Sequence, residues 1–280
     1  MIDFINKATL LLKLRPFLYK NSEGRIKSQH RPSEKGLLKE GYEKKVVACL
    51  VGLPKTAHST INEKLKTFTR EGMRDAPSSS EMFTYSSDHH LYVSDESSLE
   101  NMRKRFHESE FSKAKRTMKN VLEKHSLTHD DVLYFSFVRN PFDQAYSAWR
   151  EASGTWGNDL DFEDFVEKCI DFYSNKKKPK DMSEACQLWH LRPQYENLLD
   201  EDNKIGTDFI FKLENIEEDY KTLYKLINKR AEDTGDKLIH RNQRRDSNER
   251  RNGSSIRFYN EKTIKLIKDF YKQDFLYFNY

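Results

Sequence analysis

Lys45-Val46-Val47-Ala48-Cys49-Leu50-Val51-Gly52-Leu53, followed at once by Pro54-Lys55-Thr56-Ala57-His58-Ser59-Thr60, is the stretch that sets the architecture. The first part is a continuous apolar run rich in β-branched residues and closed by Gly52 and Pro54, with no polar face. It therefore suits a strand buried on both sides in a parallel sheet. A helix from His58 to Gly72 is expected after the tight loop. A buried strand that turns sharply into a helix leaves successive backbone N–H groups unpaired at the helix start, and these, with the helix dipole, bind oxyanions. Lys55 adds a point charge, and the hydroxyls of Thr56, Ser59 and Thr60 add donors. The junction is a phosphate cradle by construction; the plainer alternative is that Ser59 and Thr60 only cap a helix. It is not the P-loop of nucleotide triphosphate enzymes, because the Gly-Lys-Ser/Thr ending and its glycine spacing are missing.

Working outward, Val132 to Val138 (VLYFSFV) is a second core strand with a helix from Phe142 to Ala152 behind it. Phe209 to Leu213 (FIFKL) is a third, followed by a helix from Ile216 to Arg230, and Leu91 to Val93 is expected as a short further strand. Glu100 to His125 has the charge density of one long helix, with Met102, Phe106, Ala114, Met118 and Leu122 on a buried stripe. Phe162 to Tyr173 is another helix, opened by Asp159 and Asp161, which suit the positive end of its dipole. Ile264, Ile267, Tyr271 and Phe275 mark a terminal helix. Strands alternating with helices give an α/β fold, a P-loop-like three-layer sandwich with a central, mainly parallel sheet flanked by helices.

At 280 residues the chain supports one sizeable core. Residues 1–40 lack a sustained period and read as an N-terminal arm, and 41–280 as a single domain. Within it, 231–255 is polar and Arg/Asn-rich, a loop that orders on ligand binding. The net charge of +4 is the small difference between 49 basic and 45 acidic residues, so a nucleic-acid partner is not indicated. Basic residues cluster locally at Lys176 to Lys180, broken by Pro179, and at Arg241 to Arg251; each cluster either faces an anion or lies in a solvated loop. Cys49, Cys169 and Cys186 are odd in number and widely spaced, fitting neither a disulfide framework nor a zinc site, and Cys49 reads as core. No stretch reaches the roughly 18 to 20 apolar residues of a membrane span. The chain as it stands is expected to be soluble and cytoplasmic, or to work in the Golgi lumen if it is trimmed from an anchored protein.

The second motif is Phe135-Ser136-Phe137-Val138-Arg139-Asn140-Pro141-Phe142-Asp143, continuing Gln144-Ala145-Tyr146-Ser147-Ala148-Trp149. A core strand ends in Arg139, Pro141 stands where a helix starts, and Ser147 lies about two turns into that helix. Arg139 and Ser147 can grip one phosphate jointly, and in open α/β sheets ligands sit beyond the carboxyl ends of the strands. This pair of junctions resembles the 5′-phosphosulfate loop and the 3′-phosphate motif of sulfotransferases that use 3′-phosphoadenosine 5′-phosphosulfate (PAPS). "FVRNPFD…SAW" is especially similar to the carbohydrate sulfotransferases of the chondroitin, dermatan and HNK-1 group. Further landmarks follow in the same order: Trp189-His190-Leu191-Arg192-Pro193-Gln194, similar to that group's His-Trp-Arg-Pro-Gln; Phe211-Lys212-Leu213-Glu214; and Phe270-Tyr271-Lys272-Gln273-Asp274-Phe275.

The resemblance implies that Lys55, Thr56, Ala57, His58, Ser59 and Thr60 hold the 5′-phosphosulfate, and that Arg139 and Ser147 hold the 3′-phosphate. It implies too that Arg244, Arg245, Arg250 and Arg251 belong to a loop covering the nucleotide. Two positions depart from the family pattern. Ala57 and His58 stand where a glycine and a small hydroxyl residue are usual, and Gln144 stands where Arg is common, which predicts a less basic 3′ side. Sulfuryl transfer needs in-line geometry, stabilisation of the leaving oxygens and a base for the acceptor hydroxyl. Lys55 suits the stabilising role, and no metal is required. His89 and His90 lead as general base because related enzymes place a catalytic histidine in the comparable segment, with His190 and His58 as the other candidates. The acceptor implied is a carbohydrate hydroxyl; a small secondary metabolite is the alternative, with O- or N-sulfation at the same PAPS site. A nucleotide-phosphate kinase is disfavoured by the missing Gly-Lys-Ser/Thr, and a binding protein without turnover is the remaining rival.

Overall fold

Four strands, β1 (Val47–Leu50), β2 (Phe83–Ser86), β3 (Val132–Val138) and β4 (Phe209–Lys212), pair in parallel in the order β2-β1-β3-β4. They belong to a computed structural model that describes residues 47–56, 83–86, 106–124, 126–155, 157–227 and 257–280, with Ile61, Glu100 and Arg103 as single positions. The chain leaves β1 for β2 on one side and returns to β3 on the other, so the strand order reverses between β1 and β3. That switch point is where an open parallel sheet forms a crevice at its carboxyl edge. Register fixes the crevice: Val47 lies opposite Val132 and Leu50 opposite Phe135.

Both faces of the sheet are covered: β1 and β3 are buried at every position. On one face Ala48, Leu50, Leu133, Phe135 and Phe137 pack against Ile61 and against Ile216, Tyr220, Leu223 and Leu226, which lie on the helix running from Ile216 to Ile227. On the other, Val47, Cys49, Val51, Val132, Tyr134 and Val138 meet Phe111, Ala114, Met118 and Leu122 of α1 (Glu110–Lys124). Helices α2 (Pro141–Thr155), α3 (Phe162–Ser174) and α4 (Met182–Trp189) share a separate core with residues of the C-terminal segment. Next come the one-turn α5 (Gln194–Asn197), α6 (Ile216–Ile227), α7 (Glu261–Phe270) and α8 (Lys272–Phe278). The expected three-layer α/β architecture is the one observed.

Local expectations were met unevenly. The single long helix from Glu100 is replaced by a turn at Phe106 to Glu108 ahead of α1. The cause is Arg192, whose guanidinium takes the carbonyls of Phe106, His107 and Glu108, oxygens that a continuous helix needs for its own ladder. Ser109 then opens α1, its hydroxyl accepting the Ser112 amide at 3.0 Å. The terminal helix is two, α7 and α8, meeting at Tyr271. Strand β2 was not foreseen, and the expected strand at Leu91 to Val93, the arm 1–40 and the loop 231–255 lie outside the described residues. All three cysteines are buried, and burial pushes the Cys186 thiol up to about 11 and the other two higher still, so they act as core residues.

The join between the sheet and α1 is tight at Gly206, where an added Cβ would run into the ring of Phe111. Phe111 is buried and packs edge-on against Tyr134, so it has little room to yield. Gly206→Ala should destabilise the protein by about 1–3 kcal/mol in chemical denaturation, and Phe111→Leu should recover part of that loss in the double variant.

Candidate functional site at the switch point

Beyond Leu50 the two central strands stay joined. The Val51 amide donates to the Phe135 carbonyl at 2.8 Å, and the Ser136 hydroxyl donates to the Val51 carbonyl at 2.7 Å. Gly52, Leu53 and Pro54 follow, all buried. Lys55 then adopts a left-handed conformation with φ 63°. For a residue with a Cβ this costs about 1 kcal/mol, and such outliers gather at functional turns. The positive φ therefore falls on Lys55. The Thr56 hydroxyl closes the turn by donating to the Leu53 carbonyl at 2.9 Å, so its proton is committed to the loop while its oxygen can still accept.

Arg139 stands at the end of β3, half-buried, and its guanidinium donates to the Lys55 carbonyl at 3.3 Å. The two junctions singled out in the sequence thus touch. Arg139's own main chain is clamped by one side chain: its amide donates to Gln194 Oε1, and its carbonyl accepts from Gln194 Nε2, each at 2.7 Å. Next in the chain, the Asn140 amide donates to Glu214 Oε1 at 2.7 Å, and Asn140 Oδ1 accepts the Phe142 amide at 3.0 Å. Asn140 therefore caps α2, with Pro141 in its first turn, so the positive end of the helix dipole lies beside Arg139. Ser147 is half-buried on the same helix.

Two carboxylates hold this arrangement from below. Asp274 of α8 is fully buried and accepts the amides of Gln194 at 2.9 Å and Tyr195 at 2.8 Å, and Gln194 Nε2 at 3.4 Å. Burial pushes its pKa up to about 7, against the pull of those donors. Loss of water around its carboxyl likewise raises Glu214, whose residue as a whole stays exposed, and the Asn140 amide and Arg139 partly offset this. Its second oxygen accepts the Tyr280 hydroxyl at 3.0 Å.

Gln144 does not face the crevice. It is fully buried, and its amide donates to the carbonyls of His190 and Arg192. His190 closes α4, half-buried, with its ring tilted against Trp189. Its main chain packs on the first turn of α2, and Arg192 two residues later is spent on the 106–108 turn. Ala57, His58, Ser59, Thr60, His89, His90, Arg244, Arg245, Arg250 and Arg251 lie outside the described residues. The cluster from Lys176 to Lys180 follows α3 with all four lysines exposed, and Lys177 pairs with Asp171. Among the described residues no group of three or more His, Cys, Asp or Glu is placed to hold a metal, and no helix is long and apolar enough to cross a membrane.

The sequence singled out Lys55 and Arg139 but gave no role to the residues that hold them: Gln194, Glu214 and Asp274, noted only within landmark segments, and Glu151, which pairs with Lys55 across 3.2 Å. Asp274 gives a checkable consequence. A carboxyl whose folded pKa of about 7 lies above its unfolded value stabilises the fold fully below the unfolded pKa, near 4, and loses that contribution as pH rises through the folded value. The difference in thermal midpoint between wild type and Asp274→Asn should therefore narrow between about pH 5 and about pH 8; a gap that widens over that range contradicts the assignment.

The family model described as the sulfotransferase family matches residues 42–280, which takes in all four strands and both junctions. No curated protein and no solved structure matches the chain. A parallel α/β sheet with two basic junctions meeting at its switch point, together with a match over most of its length, places this chain in the sulfotransferase family, as an enzyme of sulfuryl transfer.

Proposed function

We propose that the protein transfers a sulfuryl group from PAPS to a hydroxyl of a carbohydrate. The observation that carries the donor assignment is the Arg139 to Lys55 contact, 3.3 Å long, which sets one cation at each of two neighbouring strand ends. A nucleotide bearing anionic groups on both its 3′ and 5′ sides needs two such points. The residues fit it: Lys55 and Arg139 are half-buried, so their charges are less screened than on an open surface, and the N-terminus of α2 adds partial positive charge beside Arg139.

In this reading Lys55, Thr56, Ala57, His58, Ser59 and Thr60 take the 5′-phosphosulfate, Arg139 and Ser147 take the 3′-phosphate, and Arg244, Arg245, Arg250 and Arg251 cover the nucleotide. The donor supplies the sulfuryl group and departs as the 3′,5′-bisphosphate. Lys55 follows the negative charge that grows on the leaving oxygen, an interaction stronger in the transition state than in the ground state. A histidine accepts the hydroxyl proton, His89 or His90 before His190 or His58, and the scheme requires no metal. The carbohydrate acceptor is supported by the similarity of the Phe137 to Trp149 segment to the chondroitin and dermatan enzymes. Profiling acceptors with labelled PAPS decides between a carbohydrate and a small metabolite.

Lys55→Ala and Arg139→Ala should each weaken binding of 3′-phosphoadenosine 5′-phosphate by about tenfold to a hundredfold in titration calorimetry, with melting curves near wild type. Unchanged affinity in both variants overturns the donor site. At least one of His89→Ala, His90→Ala, His190→Ala and His58→Ala should lose about a hundredfold or more in turnover. Near-wild-type turnover in all four, with folding intact, removes the histidine base.

A further inference from the structure

Lys55 is gripped twice by the unit formed by β3 and α2. Arg139, before the helix, binds its carbonyl, and Glu151, near the far end of α2, binds its ammonium through Oε2 at 3.2 Å. Asp143, Ser147 and Glu151 are spaced four apart and so share one face of α2, the face that reaches Lys55. The other oxygen of Glu151 accepts the Thr155 hydroxyl at 3.3 Å, which holds the carboxylate in place from the next turn. Neither partner is an ordinary surface residue: the Lys55 side chain is 18% exposed and that of Glu151 28%. Partial removal from water makes this pair worth more than the small value of an exposed one.

We infer that Glu151 is a counter-ion for Lys55 that competes with the donor's phosphosulfate and so sets how tightly both donor and bisphosphate product are held. The inference rests on the proposed donor site and deepens it. An anionic ligand that draws the ammonium away must break the Lys55 to Glu151 pair, and one that binds with the pair intact meets the carboxylate's negative charge. Either way Glu151 subtracts from the affinity for an anion at Lys55. It subtracts equally for the product, whose release from a doubly cationic site would otherwise be slow. The carboxylate also holds the lysine stem against α2 instead of leaving it free to sample solvent. Glu151 is thus a positioning residue that acts through Lys55.

The test is titration calorimetry of 3′-phosphoadenosine 5′-phosphate with wild type, Glu151→Gln, Lys55→Ala and the double variant. Glutamine keeps the size of the side chain and its bond to Thr155 and removes only the charge; Glu151→Ala serves as a second probe. Glu151→Gln should bind the bisphosphate about fivefold to tenfold more tightly than wild type, and this gain should vanish when Lys55 is already alanine. A purely structural role would give weaker binding or none, so a gain in affinity is diagnostic. Steady-state assays should show a lower donor KM together with a lower kcat. The inference is overturned if Glu151→Gln and Glu151→Ala leave bisphosphate affinity unchanged or weaker while Lys55→Ala weakens it, which leaves the donor site standing. It is overturned too if the gain persists in the Lys55→Ala background, because Glu151 would then act on the ligand and not through the lysine. If Lys55→Ala itself leaves affinity unchanged, the donor site fails and this inference fails with it.

Discussion

Two hydrogen bonds, from the Val51 amide to Phe135 and from the Ser136 hydroxyl back to Val51, carry the pairing of β1 and β3 past the end of the regular sheet. Everything at the site depends on them. Because the strands are parallel and adjacent, both chains leave the sheet at the same edge and on the same level, and the loops that follow have to meet. Lys55 and Arg139 lie 84 positions apart in sequence yet touch through the Arg139 guanidinium. An antiparallel pairing of the same two apolar strands would bury as much surface and send the cations to opposite ends of the molecule.

Around that edge the protein commits carboxylates to backbone amides, Asp274 fully buried and Glu214 at the exposed rim. Glu214 takes the amide of Asn140, and Asp274 takes those of Gln194 and Tyr195 and helps hold the Gln194 side chain that brackets Arg139. Loss of water around a carboxyl disfavours its charged form, which is why both are raised. In return the orientation of Arg139 is fixed from α5, α8 and the turn after β4 together. Arg192 does comparable work nearby, where its guanidinium collects the carbonyls of residues 106 to 108 and holds the turn that precedes α1. The Arg-Pro-Gln segment is therefore a structural clasp between the sheet edge and the helical core, with Arg192 and Gln194 reaching in opposite directions.

The two central strands were legible because they are extreme in composition: VACL and VLYFSFV have no polar face to confuse the period, and only Tyr134 and Ser136 among them carry hydroxyls. The two basic junctions were legible because a strand end followed by Lys or Arg and then a helix start is a local pattern. What escaped was non-local. Nothing adjacent to Gln194 or Asp274 announces that they meet across 80 positions, and nothing near Glu151 announces Lys55. Likewise the break before α1 is imposed by Arg192 from a distant segment, against a sequence that by periodicity alone continues as helix. Gln144 shows the same limit from the other side. Standing where the resembled family commonly has Arg, it was read for the 3′ side, and the sequence did not announce that it serves two buried carbonyls.

The central claim, that these neighbouring strand ends clasp the two ends of one bisphosphorylated adenosine, is met most directly by a crystal structure of the protein with 3′-phosphoadenosine 5′-phosphate. The account predicts the 5′-phosphate against the backbone at Lys55 and Thr56 and the 3′-phosphate against Arg139 and Ser147. Density for the nucleotide at another edge of the sheet, or with its two phosphates exchanged between the junctions, would contradict it.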